Sequence, residues 1–277
     1  MRTLLVDNGS LRPDAVLNLR AVAARLSERV GERVDPVSLL HSSKIDSALL
    51  GGEPAQTWER YTKACLAEGE RAFTLLPFFF GPTGAIQSYM PERLASLRKR
   101  FGNFSLARAP FLFDEAVSTD ALARMVAENV RRTLREKGLT RAPVVLVDHG
   151  SPLPAVTYVR NFVAGQLSLL LSDCMERIAA ASMERREGDL FAFNDPLLGH
   201  QLSQPGYNRG DVIIAMLFLS PGRHAGPDGD VAEICAAAEA RHPGLRCHMT
   251  DLVGTQPGII DLLATRWTTA QTDPVYL

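Results

Sequence analysis

Cysteine is scarce and scattered. Cys65, Cys174, Cys235 and Cys247 form no CxxC pair. That excludes a cysteine zinc site and a disulfide framework, and it fits a reducing, cytoplasmic setting. Neither sign of charge is in excess: 30 Lys and Arg stand against 31 Asp and Glu, a formal net charge of −1. Nucleic acid and anionic membrane surfaces are therefore not expected partners. Long apolar runs are missing too. The longest, around LLPFFF and VIIAMLFL, are too short to cross a bilayer and suit buried strands. The opening MRTLLVDNGS lacks the apolar core of a signal peptide. What is present is a globular composition, 46% apolar and 22% charged over 277 residues, enough for one large domain or two ordinary ones.

The chain repeats itself. LLVDNGSL (4–11) and VLVDHGSP (145–152) share five of eight residues, with Asn8 in one copy where the other has His149. An Ala-Val pair and then Arg20 or Arg160 follow in near register. LLPFFFGPTGA (75–85) parallels MLFLSPGRH (216–224). His149 lies 141 residues after Asn8, and Pro221 lies 139 after Pro82. A period of half the chain is too long for a solenoid and implies two tandem domains. The seam is expected at the polar EKGLTRAP (136–143), giving domains 1–138 and 139–277.

Each half alternates strand and helix. In the second half, strands are expected at VVLV (144–147), IAAASM (178–183), DVIIAMLFLS (211–220) and LRCHMTDL (245–252). Helices are expected after Pro154, over 231–242 and over 258–267. A short helix over 194–202 would have Asp195 as its N-cap and Pro196 at its first position. The closing TTAQTDPVYL reads as a loose tail or a docking strand. The fold class is α/β: two doubly wound parallel-sheet domains related by internal duplication.

His149 and His224 follow the first and third strands of the second half, at the strand ends where open α/β sheets bind ligands. In a flavodoxin-like strand order these strands are neighbours, and the two imidazoles face one another. His41, His200, His242 and His248 read as structural. The first half has Asn8, and Ala85 or a near neighbour in TGAIQ, at the matching positions. Neither is a proton acceptor at neutral pH or a strong transition-metal ligand, so this half is expected to serve as scaffold and cleft wall.

A strand ending in DHGS, followed by one ending in FLSPGRH with acidic residues soon after, resembles the class II tetrapyrrole chelatases. The closer likeness is to the sirohydrochlorin chelatases of the CbiX/SirB type, in a fused two-domain form. VLVDHGS (145–151), AMLFLSPGRHAGPDGDVAEI (215–234) and RHPGLRCHMTDLVG (241–254) carry it. SMERREG (182–188) stands where that family often has His-Met-Glu. The resemblance implies a chelatase-like fold and insertion of a divalent metal, Co2+ or Fe2+, into sirohydrochlorin or a related tetrapyrrole, in cobalamin or siroheme biosynthesis. The metal, Ni2+ included, is a substrate, and no permanently bound cofactor is implied. His149 and His224 would handle metal and protons, with Glu184 as a third participant. A neutral imidazole suits both tasks, since its unperturbed pKa lies near 6.5. Carboxylates of the macrocycle would meet free N–H groups of the turn at Ser151 and of the loop at Gly222, and the guanidinium of Arg223. Asp228 and Asp230 lie four and six positions after His224, near the family's acidic position, and neither is assigned its role. In long family members the functional pair usually lies in the first half, and here it lies in the second. The alternative is a tetrapyrrole or metal carrier without turnover. A monomer or a homodimer is compatible with the fused form.

Overall fold

The computed structural model describes residues 1–116 and 120–277. Its described residues divide into two units. The first comprises Met1–Asp114 with Pro257–Leu277, and the second Glu115–Gln256.

The first unit is built on β1 (Arg2–Asp7), β2 (Val34–Ser38), β3 (Ala72–Pro77) and β4 (Ser105–Arg108). These strands are parallel, in the order β2-β1-β3-β4. The helices are α1 (Pro13–Val30), α2 (Trp58–Ala67) and α3 (Met90–Phe101). One sheet face, bearing Leu4, Val6, Phe73 and Leu75, packs with Trp58, Met90 and Leu94 of α2 and α3. Because β1 and β3 are covered on both faces, they read as continuous apolar runs rather than alternating ones.

The second unit repeats the plan. The helix α4 (Ala121–Glu136) precedes β5 (Ala142–Asp148), α5 (Pro154–Leu170), β6 (Met175–Ser182) and a short α6 (Leu198–Gln201). Next come β7 (Gly210–Met216), α7 (Asp230–Arg241) and β8 (Leu245–Met249). The sheet is parallel in the order β6-β5-β7-β8, so the first and third strands of the repeat are adjacent, as the flavodoxin-like order requires. All seven residues of β5 are buried. Val145, Val147, Val212, Ile214 and Met216 form one core with Val231, Cys235 and Ala238 of α7.

The expected boundaries, 1–138 and 139–277, are corrected by two helices. The α4 helix was assigned to the first half, yet it packs on α5 and β7 of the second unit. There Asn129 donates to the Asp251 carbonyl at 2.9 Å, and Gln256 donates to the Met125 carbonyl at 2.9 Å. Conversely, α8 (Gly258–Thr272) was assigned to the second half and packs on α1 and β3 of the first unit. Its Arg266 donates to the carbonyls of Phe111 and Leu112, and its Trp267 indole to Thr3. The closing segment then adds β9 (Val275–Tyr276), antiparallel to β4. Of the two readings of the tail, the docking strand is the observed one.

Two local expectations also shift. The strand expected over 211–220 stops at Met216, and the residues beyond it form the site loop. The short helix starts at Leu198 rather than beside Asp195, because the Asp195 carboxylate accepts from Arg185 instead of capping.

Candidate active site

The chain turns sharply after β5. Gly150 has φ +91°, and a Cβ there would lie 1.9 Å from the Glu184 carbonyl oxygen, so the turn requires glycine. This close approach brings the ends of β5 and β6 together. The N–H of Met183 donates to the Asp148 carbonyl and that of Glu184 to the His149 carbonyl. His149 and Glu184 therefore leave the sheet side by side, with Nε2 and Oε1 3.5 Å apart.

His224 enters from the loop after β7. Its ring centroid is 4.5 Å from that of His149, with the planes crossed at 78°. The loop is held by backbone bonds: Asp230 N–H donates to the Arg223 carbonyl and Val231 N–H to the His224 carbonyl. Gly229 permits this fold-back, since a Cβ there would meet both carbonyls at 2.8 Å. The His224 Nδ1 lies 2.6 Å from Asp230 Oδ2. Of the two acidic residues left open by the sequence, Asp230 is thus the one that bonds the histidine. Its carboxylate accepts the Nδ1–H and leaves the Nε2 lone pair free.

The same reasoning fixes His149. Its Nδ1 is 2.9 Å from the Gly150 carbonyl. A carbonyl oxygen only accepts, so Nδ1 carries the hydrogen and the neutral ring has only a lone pair at Nε2. That lone pair faces the Glu184 carboxylate, another acceptor. Two acceptors at 3.5 Å are reconciled by a cation or a proton between them. Both rings are partly open to solvent, His149 being 45% and His224 32% exposed. Among the described residues no three His, Cys, Asp or Glu side chains enclose a point as a closed metal site would. The arrangement is an open pair of imidazoles with two carboxylates attached.

One expected anion contact, the Ser151 N–H, is otherwise engaged. Ser151 N–H donates to Asn194 Oδ1, its carbonyl accepts from Asn194 Nδ2, and its Oγ accepts from Leu153 N–H. It shapes the entry to α5 rather than offering a free N–H. The Gly222 carbonyl accepts from Gly226 N–H, and the loop bonds above use the first N–H groups of α7. Arg223 remains exposed, with Nε 3.7 Å from Asp230. The other second-half histidines are partnered structurally: His200 with Gln204, His242 with Ser203 and His248 with Asp211. His41 lies beyond the end of β2, in a turn with φ +64°.

Beneath His149 is a buried network. Arg160, 1% exposed, lies 3.6 Å from Asp148 and donates to Ser182 Oγ and the Asn194 carbonyl. Ser182 in turn donates to Asp148 at 2.7 Å. Burial raises the Asp148 pKa and lowers that of Arg160, and their pairing opposes both shifts.

The first unit has the same backbone and none of this chemistry. Leu39 N–H donates to the Asp7 carbonyl and Leu40 N–H to the Asn8 carbonyl, the bonds of Met183 and Glu184 repeated. Asn8 and Leu40 thus replace His149 and Glu184, and the sequence repeat sets Ala85 or a near neighbour against His224. Arg20, the counterpart of Arg160, turns to the carbonyls of Leu50 and Glu53 instead. Asp7 is left with an enclosed Oδ1 lacking a hydrogen-bond partner, and burial pushes its pKa up to about 6. A raised carboxyl pKa favours the folded state below pH 4, and this contribution is lost as pH rises through 6. Asp7→Asn is expected to stabilise the protein at pH 8 by about 3 kcal/mol relative to pH 4. Urea midpoints at both pH values check this. An equal shift at the two pH values would remove Asp7 as the cause.

Comparisons with known proteins agree with this fold. The CbiX family model matches residues 143–270. SirB from Bacillus subtilis with Fe3+ superposes with a TM-score of 0.67 at 14% identity, covering 97% of this chain and 95% of that one. A cobalt complex of the sirohydrochlorin chelatase SirB from Bacillus subtilis subspecies spizizenii gives 0.68 at 16%, covering 99% and 97%. CbiX, described as the terminal enzyme for siroheme biosynthesis in denitrifying bacteria, gives 0.62 at 15%, covering 98% and 99%. At these identities the likeness establishes the fold. No curated protein sequence matches the chain. No helix among the described residues is long and apolar enough to cross a membrane. The segment matched by the CbiX family model, residues 143–270, carries both histidines.

Proposed function

We propose that the chain inserts a divalent metal, Co2+ or Fe2+, into sirohydrochlorin or a related tetrapyrrole, as in siroheme or cobalamin synthesis. The observation that carries this reading is the pair of imidazoles 4.5 Å apart at the ends of adjacent parallel strands. The match of residues 143–270 to the CbiX family model supports it, as do the metal-bound chelatase structures of similar fold.

Insertion takes a metal ion from water into the macrocycle and releases two pyrrole N–H protons. Nε2 of His149 and of His224 supply lone pairs that hold the incoming ion or accept those protons. Glu184 supplies a negative charge beside His149, stabilising either cation there. Asp230 holds the His224 ring in the tautomer that exposes Nε2. Two imidazoles with open positions bind an ion loosely enough to release it, unlike a closed four-ligand site.

The test is spectroscopic: purified protein, metal-free sirohydrochlorin and Co2+, Fe2+ or Ni2+, with absorbance followed during insertion. Metal-dependent conversion faster than the protein-free control is expected with at least one metal. Binding of the tetrapyrrole without conversion would replace this reading with a carrier role. Within the same assay, Asp230→Asn is expected to slow insertion 10- to 100-fold and to raise the metal concentration for half-maximal rate. An unchanged metal titration would separate Asp230 from the metal step.

A further inference from the structure

The segment between Glu184 and Asn194 is bonded to the histidine turn at both ends. Glu184 N–H donates to the His149 carbonyl. At the other end Asn194, fully buried, bonds both backbone groups of Ser151 and also donates to the Phe191 carbonyl at 3.0 Å. The loop therefore stands as a rim beside the imidazole pair, with Phe191 linked through one amide to a residue two positions from His149. Arg185 braces it from within, donating to Asp195 and to the carbonyls of Arg186 and Gly188.

The rim carries apolar side chains, Leu190 exposed and the Phe191 and Phe193 rings half-buried and tilted by 58° to each other. Leu190 is 86% exposed. The Phe191 ring lies beside that of Phe193 at 6.5 Å and under the Arg186 guanidinium at 5.8 Å. Arg186 is exposed and forms no ion pair among the described residues. Leu190 precedes Phe191 in the chain, and its exposure leaves apolar surface in water. Glu187 and Asp189 share the loop and oppose a polyanion, so apolar contact rather than net charge must carry any binding here.

We infer that Leu190 and Phe191 form a seat for one face of a planar macrocycle, with Arg186 at its edge taking one peripheral carboxylate. The inference rests on the proposed tetrapyrrole reaction and names how that substrate is held. The continuity of the rim with the histidine turn favours this occupant, because a macrocycle lying on it has its nitrogens close to the imidazoles.

The test uses the full-length protein. Leu190→Ser is expected to raise KM for the tetrapyrrole about 10-fold, with kcat and the metal titration unchanged. Leu190→Met should restore the wild-type value. Fluorescence titration with a metal-free octacarboxylic porphyrin gives a binding readout independent of insertion and should show the same loss. Arg186→Gln should weaken binding of the octacarboxylic porphyrin more than that of a dicarboxylic one. Insertion with an unchanged KM in Leu190→Ser overturns the seat and leaves the proposed reaction standing. Weakened porphyrin binding without insertion by wild type overturns the reaction and leaves the seat standing. A shift from dimer to monomer in Leu190→Ser, with porphyrin binding intact, would make this face a contact between copies and overturn the proposal.

Discussion

His149→Ala and His224→Ala are each expected to lower the rate of the proposed metal insertion at least 100-fold, whereas Asn8→Ala is expected to leave it unchanged. The size follows from losing a positioned proton acceptor, which costs roughly 10²- to 10⁴-fold. In the proposed reaction the same group also handles the metal. The two losses should not multiply in the double variant, because the crossed rings act on one ion or one macrocycle at 4.5 Å. Asn8 is the internal control. It occupies the same turn with the same backbone bonds, so a fall in Asn8→Ala would mean that the turn, not the imidazole, matters. Steady-state rates for the three variants, with circular dichroism to confirm folding, decide it. Activity surviving both histidine changes would sink the mechanism.

The largest stability effect is expected at Arg160. Arg160→Met removes the partner of the buried Asp148 and leaves Ser182 Oγ and the Asn194 carbonyl without their guanidinium donor. Breaking one side of a buried pair costs about 3–5 kcal/mol. Arg160 also holds the Asp148 pKa down against burial. Without it that pKa rises further, so the penalty grows as pH rises and the carboxylate is forced to ionise inside the fold. Asp148→Asn in the Arg160→Met background should recover part of the loss, most visibly at high pH. Urea denaturation at pH 5 and pH 8 measures both effects. A loss below 1 kcal/mol in the single variant would show that the network is not needed for stability.

Much of this site was legible in the sequence because it sits where apolar runs end. The runs in β1, β5 and β7 are buried on both faces, so their ends, and His149 just after β5, could be placed by inspection. The duplication exposed the one informative difference, Asn8 against His149. Several relations left no such trace. Arg20 and Arg160 keep register in the chain, yet one bonds loop carbonyls and the other a buried carboxylate. Asp228 and Asp230 are equivalent by spacing. Only the fold-back of the loop at Gly229 decides between them. Asn194 lies 43 residues from Ser151, and nothing local in its own segment marks it as a brace. The helices α4 and α8 show the same limit. The apolar stripe of α4, from Leu122 to Leu134, declares that it covers a sheet, and says nothing about which one.

That exchange of helices has a consequence for how the chain is made on the ribosome. The second unit is continuous, Glu115–Gln256, and can close once its own residues have emerged. The first unit begins at Met1 and needs Pro257–Leu277. Domains generally fold as units in the order of synthesis, yet here the unit started first is completed last. Until α8 arrives, the sheet face bearing Thr3 and Leu5 lacks its closing helix. The half without the histidine pair is thus the one exposed longest to misassociation, and the half bearing His149 and His224 matures ahead of it.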